Sequence, residues 1–220
     1  NVSHELKTPM TSMKVLADSL VGQQGVPEDL YQEFMRDITA EIDRENRIIT
    51  DLLTLVKMDK KNADLQIQHM SINQLLEDIL KRLRPIADKR NIDLILDSFR
   101  PVEADVDELK FTSAISNLVE NAIKYNVDDG WVRVSLDADH KFFYVTVADS
   151  GMGIPEDSLS RIFERFYRVD KSHSREIGGT GLGLAITRST IGMHHGVIKV
   201  FSKEGEGTTF SVRVPLSYIP

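Results

Sequence analysis

The 220 residues carry 27 Lys plus Arg against 34 Asp plus Glu, a formal charge of −7, and no cysteine. That balance argues against a nucleic-acid partner, whose phosphates call for a basic face, and the missing thiols rule out disulfides and thiolate metal sites. No run approaches the ~20 apolar residues that span a bilayer, so no membrane contact is expected of this stretch; because it opens on Asn1 with a reactive-looking motif three residues later, it reads as a fragment whose natural N-terminus lies upstream, with any membrane anchor or sensor in the missing part.

Residues 1 to about 61 are expected to be helical. Leu6, Met10, Met13, Ala17 and Leu20 recur at spacings of three and four, the seam of a bundle helix. Gly25 and Pro27 punctuate a break over 22–27, and a second helix carries Phe34, Ile38, Ile42, Ile49, Leu52 and Val56 as its stripe. Glu45 interrupts that stripe, so part of it is expected to be wet. Such a hairpin leaves its apolar stripes uncovered, and pairing with a second copy into a dimeric four-helix bundle covers them; packing on the rest of the chain is the alternative. The polar stretch Lys60–Asp64 separates 1–61 from 62–220 and suits a hinge.

From residue 64 the period changes. Short β-type runs alternate with amphipathic helices: LQIQHM, a helix over 71–90, IDLILDSF, a helix over 107–126, then WVRVSLDAD and FFYVTVAD. An irregular glycine-containing stretch, a helix over 181–194 and two closing strands, GVIKVFS and TTFSVRV, follow. WVRVSL and FSVRVP alternate apolar and polar residues, as half-buried strands do. The expected class is α+β: the helical hairpin, then a two-layer α/β sandwich with helices on one face of a mixed sheet.

Three clusters in the second half carry phosphate-handling chemistry when read together. In NLVENAIKYN, Asn117 and Asn121 are four apart on one helix face, with Lys124 a further turn along. Amide oxygens suit Mg²⁺, which keeps waters and substrate phosphates in its shell, and Lys124 offsets phosphate charge. In DSGMGIP, Asp149 at a strand end can accept from an exocyclic amine, while Gly151 and Gly153 let backbone approach a base or phosphate. In GGTGLGLAI a glycine-rich turn opens a helix whose free N–H groups and dipole make an anion site; no GK[ST] follows, so it is not a Walker loop. Taken singly, each has an ordinary reading: a solvated helix face, a common turn, a glycine hinge.

Between the last two clusters lies RIFERFYRVDKSHSREIGG, whose composition suits a lid anchored by Phe163 and Phe166, with Arg168 and Lys171 able to reach phosphates. At the amino end, NVSHELKTPMTS sets His4 beside Glu5. One imidazole nitrogen can attack a phosphoryl group while the other keeps its proton and finds a carboxylate. Thr8 shares the face of His4 and can position a water, and Pro9 bends the helix. A lone surface His beside a Glu is by itself more often chance.

HELKTP, NLVENAIKYN, DSGMGIP, IFERFYRVD and GTGLGLAI resemble, in order, the H, N, G1, F and G2 boxes of sensor histidine kinases, and EGEGTTFSVRVP resembles that family's closing hairpin. The resemblance covers nearly the whole chain. It implies a dimerisation and histidine-phosphotransfer hairpin over 1–61 and a Bergerat-type (GHKL) ATP-binding domain over 62–220. ATP and Mg²⁺ are then the ligands, and a second copy and a response regulator's receiver domain the partners. By that likeness His4 is the phosphoacceptor, Glu5 assists its phosphorylation, and Thr8 orients the water that hydrolyses the regulator's phosphoaspartate. Asn121, with Asn117, holds Mg²⁺; Lys124 and Arg168 meet the phosphates; Tyr125 lies by the adenine and Asp149 binds its amine. Gly151, Gly153, Gly179, Thr180, Gly181, Leu182, Gly183 and Thr209 complete the expected nucleotide contacts. Val197 stands where many members repeat Gly after HG, and His69, His140, His173, His194 and His195 match no motif and are assigned to surface or packing. A chaperone- or topoisomerase-type ATPase shares the ATP motifs but does not need HELKTP beside a hairpin.

Overall fold

The structure, a computed structural model, describes residues 2–21, 27–58, 65–169 and 179–219, apart from the side chains of 2–9, 12 and 16. The expected hinge at 60–64, Lys171 and His173 lie outside the described residues. Two helices open the chain, α1 (Val2–Val21) and α2 (Glu28–Met58). Glu28 and Asp29 in the first turn of α2 and Lys57 in its last suit the two ends of the helix dipole.

The apolar residues of α2 fall on two stripes rather than one. Ile48, Leu52, Leu55 and Met58 join Leu182, Ala185, Ile186 and Phe166 in a small core shared with the carboxy-terminal part. Ile42, Ile49, Leu53 and Val56 stay exposed in the single chain. Glu45, expected in a wet gap, is instead 8% exposed, and its Oε1 has no hydrogen-bond partner. No helix among the described residues is long and apolar enough to cross a membrane.

The carboxy-terminal part runs β1 (Ile67–Ser71), α3 (Ile72–Asp88), β2 (Asp93–Ser98), β3 (Glu103–Asp107), α4 (Glu108–Lys124), β4 (Trp131–Ala138), β5 (Phe142–Asp149), the short α5 (Glu156–Leu159), α6 (Gly183–Met193), β6 (Val197–Lys203) and β7 (Gly207–Pro215). Five strands form a mixed sheet in the order β2-β4-β5-β7-β6, with β2 parallel to β4 and the other neighbours antiparallel. Alternate residues Val132, Val134, Leu136, Phe143, Val145, Val147, Phe210, Val212 and Val214 are buried, so the helices cover a single face. Phe111 of α4 meets Phe143 edge-on at 5.6 Å in that core.

The expected sandwich is present, with one strand unforeseen. β1 pairs with β3 in a separate antiparallel ribbon, Ile67 opposite Asp107. EADVD hides its strand character behind three carboxylates, yet its two apolar residues, Ala104 and Val106, are fully buried. Ser71 and Asp107 act as N-caps, accepting from Gln74 N and Lys110 N, so α3 and α4 begin one residue later than their apolar pattern suggests.

Two polar devices fix the helices that matter below. Arg90, in the turn after α3, donates to Ile123 O at 2.8 Å, Lys124 O at 3.0 Å and Asn126 O at 2.8 Å, satisfying the open carbonyls at the end of α4. His194, buried just past α6, accepts from Asp107 N at 3.0 Å through Nε2, and its Nδ1 lies 2.8 Å from Thr190 O. A carbonyl only accepts, so the proton sits on Nδ1 and the ring is neutral. This imidazole therefore ties the end of α6 to the start of α4.

Candidate nucleotide site

The end of α4 and the turn before α6 come together. A Cβ at Gly179 would stand 3.1 Å from Lys124 Nζ and 3.6 Å from Tyr125 Oη, and one at Gly183 would stand 3.3 Å from Asn117 Oδ1. Asn117 Nδ2 makes only a long contact, 3.5 Å, with Gly183 O. No side chain caps the N-terminus of α6; Leu182 N donates to Thr180 Oγ1 at 3.3 Å. The first-turn N–H groups of α6, which no side chain caps, make its start a place where an anion is favoured.

The DSGMGIP turn closes the other side. Met152 N donates to Tyr125 O at 3.1 Å, which joins this turn to the end of α4. Asp149, 9% exposed, accepts through Oδ1 from Gly151 N at 2.8 Å and Thr208 N at 3.2 Å. Burial pushes its carboxyl up to about 6 against the pull of those two N–H groups. Among the described residues none donates to its Oδ2. The glycines here are required by the protein itself as well: a Cβ at Gly153, whose φ is +70°, would collide with Lys203 O, and one at Gly151 with Tyr125 O.

Lys124 is lowered to about 8, chiefly by burial and then by the charges of Arg168 and Arg47, with Glu120 opposing. Burial likewise raises Tyr125, with Arg168 opposing. The Arg168 and Arg47 charges thus both act on the Lys124 ammonium, which stands beside the glycine turn that opens α6. Phe163 packs on the main core, its ring 6.4 Å from that of Phe210, while Phe166 sits in the small core against α2. Phe166 N donates to Gly181 O at 2.9 Å, so the segment leading to 169 is stapled to the glycine turn.

Residues 106–218 match the family described as histidine kinase-, DNA gyrase B- and HSP90-like ATPase, and residues 1–61 match the His kinase A phospho-acceptor domain. The chain belongs to the histidine kinase family. Sensor histidine kinase WalK of Bacillus subtilis is 34% identical over 218 residues, 98% of this chain and 36% of WalK. Sensor-like histidine kinase SenX3 of Mycolicibacterium smegmatis is 35% identical over 215 residues, 98% of this chain and 56% of SenX3. The chain thus spans only part of these curated relatives. The solved catalytic domain of histidine kinase ThkA superposes with a TM-score of 0.60 at 28% identity, over 70% of this chain and 99% of that one. Histidine kinase AdeS of Acinetobacter baumannii shares the fold, with a TM-score of 0.78 at 22% identity over 97% and 98% of the two chains.

Within this chain, Asn117 adjoins Gly183, Lys124 and Tyr125 adjoin Gly179, and Asp149 and Gly151 join them through the end of α4. Asn121 is half-buried one turn before Tyr125, whose N–H bonds its carbonyl. Among the described residues no three His, Asp or Glu converge as a metal cage. Neutral oxygens from Asn117 and Asn121 fit a cation that takes most of its shell from water and phosphate, as Mg²⁺ does. Thr209 is a correction. The register sets it opposite Ala148, on the sheet face turned away from Asp149; Thr208 is the residue opposite Asp149. Strand alternation in TTFSVRV held that signal, since Phe210 and Val212 face the core with Thr208. Thr180 is engaged by α2, donating to Asp51 Oδ2 at 2.9 Å. Neither Asp51 nor Arg90 belongs to a motif that sequence reasoning singled out. α1 is helical through His4, Glu5 and Thr8, whose side chains lie outside the described residues.

Proposed function

We propose that this chain is the catalytic core of a sensor histidine kinase, with a phosphotransfer hairpin over 1–61 and an ATP-binding domain over 62–220. It transfers the γ-phosphoryl group of ATP to His4 and passes it to an aspartate of a response regulator. One observation carries this reading: Lys124 and Tyr125 stand against the glycine turn of α6, which no side chain caps, while Asp149, on the far side of Tyr125, accepts from described residues through Oδ1 alone and offers Oδ2 to an adenine amine. Asn117 and Asn121 would hold Mg²⁺ against the phosphates, where the ion would offset charge on the transferring group.

In the transfer, one ring nitrogen of neutral His4 bonds to the γ-phosphorus as the bond to the β,γ-bridging oxygen breaks, and ADP carries that electron pair away. Glu5 accepts the proton from the other ring nitrogen, which leaves a neutral phosphoimidazole. A regulator aspartate then displaces the imidazole. The regulator as partner has support in histidine kinase ThkA, solved in complex with its response regulator protein TrrA, whose fold this chain shares at a TM-score of 0.80 and 24% identity over 98% of its length and 60% of ThkA's. Thr8 lies four residues after His4 on the same helix and serves the reverse task, holding water against the phosphorylated regulator.

Incubation with γ-labelled ATP and Mg²⁺ gives acid-labile, base-stable label on the chain. A His4→Gln variant that still labels removes His4 from the mechanism. Thr8→Ala spares labelling and abolishes dephosphorylation of the regulator; intact dephosphorylation would show that Thr8 has no such part.

A further inference from the structure

Thr180 sits in the glycine turn that opens α6, between Gly179, which adjoins Lys124, and Gly181, whose carbonyl takes Phe166 N. Its hydroxyl has one proton and gives it to Asp51 Oδ2 of α2 at 2.9 Å. The same oxygen accepts from Leu182 N at 3.3 Å, the residue that leads into α6. Packing puts Asp51 there: Ile48, Leu52 and Leu55 of α2 share the small core with Leu182, Ala185, Ile186 and Phe166, and positions 48, 51, 52 and 55 lie on one helix face. The main chain of the turn has little room to shift. Gly181 has φ +70°, and a Cβ on it would stand 2.9 Å from Phe166 Cα, while one on Gly179 would stand 3.1 Å from Lys124 Nζ. A change of partner at Thr180 is therefore made most cheaply by its side chain.

We propose that Asp51 is a latch on the nucleotide site: it competes with a nucleotide phosphate for the Thr180 hydroxyl, so that ATP loading weakens the hold of α2 on the glycine turn. This rests on the ATP-binding reading above, with Thr180 among the nucleotide contacts. The exclusion follows from the proton count. A carboxylate and a phosphate oxyanion both only accept, and the hydroxyl has a single proton, so it serves one of them at a time. The latch is also weak enough to yield. Burial raises Asp51, against the pull of the Thr180 bond and the Arg47 charge. The carboxylate thus keeps its place at a desolvation cost that one hydroxyl bond does not fully offset. Loading and release are then linked: the polyphosphate that supplies the phosphoryl group also loosens the ATP-binding domain from α2, and a loaded domain travels towards His4 more readily than an empty one.

The test is titration calorimetry of the intact chain with ATP and adenosine, for the wild type, Asp51→Ala, Asp51→Asn, Thr180→Val and the double variant Asp51→Ala with Thr180→Val. Asp51→Ala tightens ATP by about three- to tenfold, the range for one hydrogen bond that binding no longer has to break. Asp51→Asn leaves a neutral, weaker acceptor of the same shape and gives a smaller gain; it decides the matter should the alanine variant fail to fold. Adenosine, which brings no phosphate, binds the Asp51 variants as it binds the wild type. On the Thr180→Val background, where the contested hydroxyl is gone, removing Asp51 leaves ATP affinity where Thr180→Val put it. ATP affinity that is unchanged or weaker in the Asp51 variants overturns the proposal. An equal gain for adenosine does so too, because it marks a general loosening, and so does a full gain on the Thr180→Val background, because the carboxylate then acts without the hydroxyl. A wild type that binds no ATP defeats the ATP-binding reading instead, so the two failures are distinct.

Discussion

Asp149 and Lys124 depart from ordinary titration in opposite ways, and nucleotide binding should read both. Burial holds Asp149 protonated up to about pH 6, yet an adenine amine needs the carboxylate as acceptor. Binding below about pH 6 therefore releases a proton from this group. Lys124 loses its proton near pH 8 because burial and the Arg168 and Arg47 charges disfavour the ammonium. Arriving phosphate reverses that, so binding near pH 8 takes a proton up. Calorimetry in buffers of differing ionisation enthalpy should show net release at the acid end, net uptake at the alkaline end, and the tightest affinity between. The stability sign at Asp149 runs against its function. Its folded value lies above the unfolded one, so its contribution is fully present below the usual carboxylate range and is lost as pH rises through about 6. Asp149→Asn at neutral pH should melt higher than the wild type while ATP affinity falls at least about tenfold, the loss expected when a charged acceptor is replaced by a donor.

Among the elements, α4 carries the site and is held at both ends by residues outside every motif. Arg90 meets three carbonyls at its exit. Arg90→Met should lower stability by about 2–3 kcal/mol in denaturant titration, because buried carbonyls lose a charged donor, and should weaken ATP binding as Lys124 and Tyr125 lose their anchor. At the other end His194 must stay neutral to accept from Asp107 N. Burial lowers it, against the Thr190 carbonyl and Asp107 that raise it, with the Lys110 and His195 charges adding to the lowering. The unfolded imidazole binds protons more readily, so stability is whole above its ordinary value near 6.5 and declines as pH falls through that region. His194→Gln should flatten the melting temperature between pH 7 and 5; an unchanged slope would place the acid sensitivity elsewhere.

The same elements show what the sequence could reveal. The β4, β5 and β7 runs announce themselves by strict alternation, and the five boxes by residue type and order. β3 alternates too, but over five residues with only Ala104 and Val106 apolar, and its three carboxylates are poor strand formers, so the signal is weak. Thr208 rather than Thr209 was decidable from alternation alone. Arg90 and Asp51 were not, since their partners lie 33 and 129 positions away along the chain and leave no local pattern.

At the scale of the whole molecule, α2 has two apolar stripes and a single chain covers one. Ile48 and Leu55 are sealed by α6, while Ile42, Ile49, Leu53 and Val56 remain 45–56% exposed, spaced by seven, four and three as a helix-bundle seam requires. Met10 and Val15 add exposed apolar surface on α1. Water-facing stripes at that spacing are stable only against matching helices, and a second copy of the 1–61 hairpin would supply them. Because dimerisation binds the folded hairpin and not the unfolded chain, the melting temperature should rise with protein concentration. Ile49→Glu with Val56→Glu should give a monomer in sedimentation equilibrium and remove that dependence. The covered stripe that faces the nucleotide site is untouched by these changes, so the monomer should keep its ATP affinity. If instead the double variant sediments as the wild type does, the exposed stripe is not the dimer seam. Should the monomer form and still label His4 from ATP, the phosphoryl group travels within one chain; should labelling return only on mixing with a dimer-competent partner, it crosses between two.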